Sequence, residues 1–133
     1  MACGSKSVPG KWEDISSVGI VSSHAYSILS VHKIDHPDLG IERLVRLRNP
    51  WGKVEWSGDF SDDSYLWTDD LKEEVGFTDE EDGIFFMREE DYLHYFAIST
   101  ICRAVDGHDH TSVRVEAAAG EEKYFKVNIE NDL

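Results

Sequence analysis

The sequence predicts an α+β domain, mainly antiparallel β, with two or three short helices. Three observations carry this. Apolar runs are short, rich in β-branched and aromatic residues, and bounded by Gly, Pro, Asp and Ser. Helix signals are few and short: end signals around residues 71–75 and helical spacing of apolar residues in 89–96. At 133 residues and 41% hydrophobic content, the chain is long enough for one main core.

Residues 18–21 and 25–31 read as the first strands. Residues 32–40 contain Asp35, Pro37, Asp38 and Gly40, which is turn chemistry. Residues 41–48 (IERLVRLR) form the next strand. Its alternation puts Glu42, Arg46 and Arg48 on one face and Ile41, Val45 and Leu47 on the other, with Arg43 and Leu44 breaking the pattern. Thr68-Asp69-Asp70 opens a helix over residues 71–75, and Gly76 stops it. Residues 83–87 are a short apolar strand. In residues 89–96, Tyr92, Leu93 and Phe96 fall at helical spacing. Residues 98–105, 113–118 and 123–129 complete the strands, with Ala119-Gly120-Glu121-Glu122 as a hairpin turn. The apolar residues of 18–31, 41–47, 84–87 and 98–105 are expected to form one core.

Charge excludes some functions and suggests others. Thirteen Lys/Arg stand against 27 Asp/Glu, a net −14, which argues against nucleic acid or an anionic membrane as partner. The excess is local: residues 59–91 hold two basic and fourteen acidic residues. Such a segment is either a solvated acidic surface or a site where a cation relieves repulsion between carboxylates. No apolar run approaches the roughly 18–20 residues that span a bilayer, so no integral membrane segment is expected. Two cysteines, Cys3 and Cys102, make no disulfide framework and fit a reducing, cytoplasmic setting.

His24 precedes one strand, and Asn49 and Trp51 follow another. An imidazole used as a general base needs its second ring nitrogen held by an acceptor, which a carboxamide oxygen provides without charge. A neighbouring indole would keep water from that hydrogen bond. On spacing alone, however, Asn-Pro and Trp-Gly are simply turn punctuation and a lone histidine is structural.

Ser23-His24-Ala25-Tyr26-Ser27-Ile28, residues 44–52 (LVRLRNPWG), Val54-Glu55-Trp56-Ser57-Gly58, Ser61-Asp62 and residues 82–87 (DGIFFM) together resemble the calpain family of cysteine endopeptidases. The similar part is the second lobe of a papain-like catalytic core. It covers residues 1–103, leaving 104–133 as a terminal β-hairpin. The resemblance implies a strongly twisted sheet wrapped into a half-open barrel, with His24 and Asn49 at one rim on neighbouring strands. It implies His24 as general base and acid, Asn49 as its orienting partner and Trp51 as the shield over their hydrogen bond. Where the family usually has glycine before the histidine, Ser23 stands.

In that chemistry a cysteine thiolate attacks the scissile carbonyl of a polypeptide substrate, paired with the imidazolium. The family's nucleophile lies in a first lobe, well upstream of the histidine, whereas 23 residues precede His24 here. The chain is thus expected to carry half an active site, to be inactive alone and to need a Cys-bearing first lobe as partner. Met1-Ala2-Cys3-Gly4-Ser5 resembles a segment inside the family's core, which favours a fragment of a larger protease. The alternative is an inactive calcium- or protein-binding module that keeps the lobe's fold.

An EF-hand fails in the acidic segment, because Ser64 stands where a loop from Asp59 requires glycine. The resemblance implies instead a two-loop calcium site: Glu55 and Asp62 from the first loop, the Glu80 carbonyl and the Asp82 side chain from the second. Ile84 replaces a glutamate the family often has two residues later, which removes an anionic ligand. His108-Asp109-His110 reads as a polar loop, Cys102 as a buried inert thiol, and His32 and His94 show no partner pattern. The tail is either the opening of a following β-sandwich-like domain or an extra hairpin on this lobe. If the tail is cut short, its exposed edge invites self-association.

Overall fold

The computed structural model describes residues 1–101. Five strands and two helices follow in order: β1 (Ala2–Ser5), β2 (Ala25–His36), β3 (Gly40–Arg48), α1 (Asp69–Val75), β4 (Ile84–Arg88), α2 (Glu89–Tyr95) and β5 (Phe96–Thr100). They build one antiparallel sheet in the order β4-β3-β2-β1-β5, which does not close on itself. The expected strands at 113–118 and 123–129, the turn at 119–122, the polar loop at 108–110 and the thiol of Cys102 lie outside the described residues.

A long hairpin organises the sheet. β2 pairs with β3 from Ser27↔Arg48 to His36↔Gly40. The turn expected over 32–40 is therefore shorter: residues 32–36 remain strand and only Pro37, Asp38 and Leu39 turn. His36 allows this. Its Nδ1 accepts from the backbone N–H of Asp38 (3.1 Å) and Leu39 (3.2 Å), and its Nε2 donates to the Leu66 carbonyl at 2.9 Å. A buried imidazole thus satisfies the turn's amides.

Within β2 the register shifts between Ile28 and Ser30, so Leu29 is an extra residue. The bulge exchanges the faces. Tyr26 and Ile28 point to a core with Cys3, Val45, Leu47, Phe85, Met87, Tyr92 and Phe96. Beyond it, Ile34 joins Leu44, Phe60, Leu66, Trp67, Leu71, Val75 and Phe86 on the opposite face. The single expected core is in fact two, one on each side of the sheet. That explains why Leu44 broke the alternation of its strand: Leu44 and Val45 are both buried, in different cores. Ile41, at the hairpin end, and Ile98 and Ile101 are exposed and belong to neither.

The helices sit where their end signals put them. The Thr68 hydroxyl accepts from Leu71 N–H at 3.2 Å, and Gly76 closes α1 in the left-handed conformation. Leu71 and Val75 anchor it to the second core. α2 has no side-chain cap, and Tyr92 and the following Phe96 stack at 4.9 Å in the first core.

Two further expectations need correction. Residues 18–21 form no strand; Ile20 and Val21 are buried in a turn whose only ladder contact is the bridge Ile15↔Val21. The strand expected at 98–105 starts earlier, at Phe96, and ends at Thr100 within the described part. β1, by contrast, was not expected. It is flanked by β2 and β5, and this buries Cys3. Burial pushes the Cys3 thiol up from 9.0 to about 11. Alkylation at pH 8, followed by peptide mapping, should label Cys3 at least ~10-fold more slowly in the native chain than in the denatured one; equal rates would contradict this burial.

Candidate active site

His24 enters β2 from a turn that β1 holds in place. Its backbone N–H donates to Ser5 Oγ (2.9 Å), Ser5 N–H donates to the His24 carbonyl (3.0 Å), and the Ser5 hydroxyl donates to the Val21 carbonyl (2.6 Å). Ser23, just before it, has φ 53°. This left-handed conformation suits glycine better than serine, which is the physical content of the family's preference at that position. The imidazole is buried, with the edge of the Tyr26 ring packed at 5.1 Å.

Asn49 leaves β3 beside it. The pairing Ser27↔Arg48 brings the start of β2 and the end of β3 to one rim of the sheet, and His24 Nε2 lies 3.0 Å from Asn49 Oδ1. The amide cannot flip without loss. Its Nδ2 donates to the carbonyls of Lys53 (2.9 Å) and Val54 (3.0 Å), while its Oδ1 also accepts from Trp51 N–H at 3.1 Å. The Val54 carbonyl is aimed by a left-handed backbone, φ 64°, which is costly for a β-branched residue and is held by its surroundings. Asn49 is fully buried, so each of these bonds is made without competition from water. The Trp51 indole lies against the imidazole, ring centres 4.6 Å apart and tilted 49°, and remains 40% exposed.

The second ring nitrogen also has a partner. His24 Nδ1 lies 3.2 Å from Glu13 Oε1. Sequence reading missed Glu13 and Ser5, because no pattern in the chain marks either; loop geometry alone brings them to the histidine. Chemically, the arrangement is a proton-carrying ring whose orientation is set by a carboxamide, with its outer nitrogen turned toward a carboxylate. Nδ1 is the atom left for a reacting partner, since Nε2 is committed to Asn49.

The acidic loops lie next to this rim. Asn49 N–H donates to the Gly83 carbonyl at 2.8 Å, and Gly83 N–H donates to Glu55 Oε1 at 2.6 Å. Asp82 Oδ1 accepts from Ile84 N–H (2.8 Å), and the Glu80 carbonyl accepts from Asp82 N–H (2.8 Å). Two indoles brace the first loop: Trp56 Nε1 donates to the Asp59 carbonyl and Trp67 Nε1 to the Ser61 carbonyl. In the same loop Asp62 Oδ1 is buried without a hydrogen-bond partner. Burial, then the neighbouring carboxylates of Glu55, Asp79 and Asp82, push the Asp62 carboxyl from 3.8 up to about 7. The donors are all oxygen, as a hard cation prefers, and an orphaned buried oxygen is what such an ion would satisfy. As the side chains stand, no three or more His, Cys, Asp or Glu groups converge on one point among the described residues. No described helix is long and apolar enough to cross a membrane.

Residues 1–103 match the family model described as calpain family cysteine protease. The chain is 40% identical over 102 residues to the calpain-type cysteine protease DEK1 of Arabidopsis thaliana, covering 75% of this chain and 4% of that protein. It is 38% identical over 104 residues to calpain clp-1 of Caenorhabditis elegans, covering 75% and 13%. Calpain-8 of Homo sapiens is 43% identical over 95 residues, covering 68% and 13%. The match therefore spans only a small part of each relative's length.

Proposed function

The chain belongs to the calpain family of cysteine proteases, and from that premise we propose that it is the His/Asn-bearing lobe of a calcium-dependent endopeptidase. The observation that supports this best is the 3.0 Å contact between His24 Nε2 and an Asn49 amide whose orientation three other hydrogen bonds fix. His24 Nδ1 then takes the proton of a cysteine thiol on a separate first lobe. The thiolate attacks the carbonyl of a polypeptide substrate, and the imidazolium returns the proton to the leaving amine. Trp51 shields the imidazole–carboxamide bond from water.

The sulfur comes from elsewhere. Cys3 is buried and its thiol is shifted up, the opposite of an activated nucleophile. On this reading the chain alone is inactive, and the low cysteine content is consistent with a reducing, cytoplasmic setting. The test is reconstitution: the chain is mixed with a Cys-bearing first lobe of a relative, and calcium-dependent hydrolysis of a peptide is measured. Hydrolysis by the mixture and by neither part alone is expected; persistent silence of a mixture that forms a complex would remove the reading.

Calcium is assigned to the acidic loops, held by Glu55, Asp62, Asp82 and the Glu80 carbonyl. When bound, the ion would supply charge that offsets the crowded carboxylates of Glu55, Asp62 and Asp82. Calorimetric titration should give a heat of binding in the wild-type chain that Asp82→Ala abolishes. A wild-type chain with neither heat nor thermal stabilisation on adding calcium would exclude the site.

A further inference from the structure

The outer nitrogen of His24, the one the reaction requires, is occupied by this chain's own carboxylate. We propose that Glu13 is an autoinhibitory latch: it stands where the thiolate must stand, and must leave before the site assembles. The proposal rests on the reading of His24 as general base and adds to it a control of when the base becomes available.

The geometry argues for a seat rather than an accidental contact. Both ring nitrogens face acceptors, Asn49 Oδ1 and Glu13 Oε1, and a neutral imidazole carries only one N–H. With one N–H committed to Asn49 Oδ1, the Glu13 carboxylate occupies the approach to Nδ1 that the thiol needs. Glu13 itself has φ 49°, a conformation that persists in a non-glycine residue when neighbours impose it. The neighbours are identifiable: Asp14 N–H donates to Ser22 Oγ (3.1 Å), Ser22 N–H donates to the Asp14 carbonyl (2.9 Å), and Ile15 bridges Val21.

The segment is also built to move. Its apolar side chains do not anchor it: Val8, Ile15 and above all Trp12, 81% exposed, face outward. A groove of about 270 Å³ runs along it to Ser23, lined by Ser7, Val8, Gly10, Lys11 and Trp12. Hydrogen bonds and the Glu13 carboxylate hold the segment, not apolar burial, so opening it exposes little core. A docking first lobe that covers Trp12 and presents a thiolate to Nδ1 replaces both sets of contacts.

Carbethoxylation with diethylpyrocarbonate tests the latch on the intact chain. Reaction at His24 is followed by peptide mapping, with exposed His94 in the same sample as the reference. Glu13→Ala should raise the His24/His94 rate ratio roughly tenfold, the scale of losing one charge-assisted hydrogen bond; an unchanged ratio in a folded variant overturns the latch. Glu13→Gln, which keeps the size and removes the charge, should fall between the two. In the reconstituted protease, Glu13→Ala should lower the first-lobe concentration needed for half-maximal hydrolysis. If it leaves that concentration unchanged while His24→Ala abolishes hydrolysis, the latch fails and the general-base reading stands. If His24→Ala stays active, the general-base reading fails and the latch falls with it, whatever Glu13 does.

Discussion

Replacing His24 with alanine in the reconstituted protease should cut peptide hydrolysis by about 10²–10⁴-fold, the range that a positioned proton-transfer group contributes. That corresponds to about 3–5 kcal/mol of transition-state stabilisation. On the proposed role the loss should appear in kcat, because the imidazole would move a proton at the reacting atoms and bind little of an extended peptide. His94→Ala is the control: that ring is exposed on α2, packed against the Tyr95 ring and away from His24 in the chain. Asn49→Ala tests the orientation argument separately. It leaves the carbonyls of Lys53 and Val54 without their donor, so it should cost stability as well as rate. Equal activity of wild-type and His24→Ala mixtures would show that the proton travels by another route.

Gly83→Ala should destabilise the chain by about 2–4 kcal/mol and weaken the His24–Asn49 contact. An added Cβ at residue 83 would lie 2.6 Å from the Asn49 carbonyl oxygen and 3.0 Å from Gly52 Cα, both backbone atoms that cannot swing aside, and φ there is +85°. Relief requires the turn that carries Asn49 to move. Gly10→Ala separates the two causes: it has a similar φ of +74° with nothing within 4 Å, so it should lose only about 1 kcal/mol. Denaturant unfolding reads both. A Gly83→Ala chain no less stable than Gly10→Ala would mean that the close approach to Asn49 is absent in solution.

Local chemistry was readable from the residues where it is local. Thr68, Gly76 and the apolar pair Leu71 and Val75 specified α1 in advance, because capping and one buried stripe are short-range. The alternation of residues 41–48 gave the strand but assumed one covered face; Leu44 made sense only once α1 and Trp67 were seen on the other. Residues 18–21 misled for a related reason. Their β-branched side chains report burial, which a turn plugged into the core achieves without a ladder. β1 gave no signal because Ala2, Cys3, Gly4 and Ser5 have little strand preference and are ordered by partners on both sides. The nearness of His24 to Asn49 was accessible through the family resemblance alone, since the register that creates it runs through residues 32–36, which read as turn. Glu13 was not, since only the folded path of residues 11–16 returns it to the histidine.

The bulge at Leu29 has an evolutionary consequence. Its side chain is half in solvent, so almost any residue is tolerable there, yet the position itself is indispensable. Deleting it would invert the residues on one side of that point relative to the other, sending Ile34 outward or Tyr26 away from its core. Relatives of this lobe should therefore vary freely in what they place at position 29 and hardly at all in how many residues separate the histidine from the hairpin tip. At that one point, shortening the chain should cost more than changing the side chain.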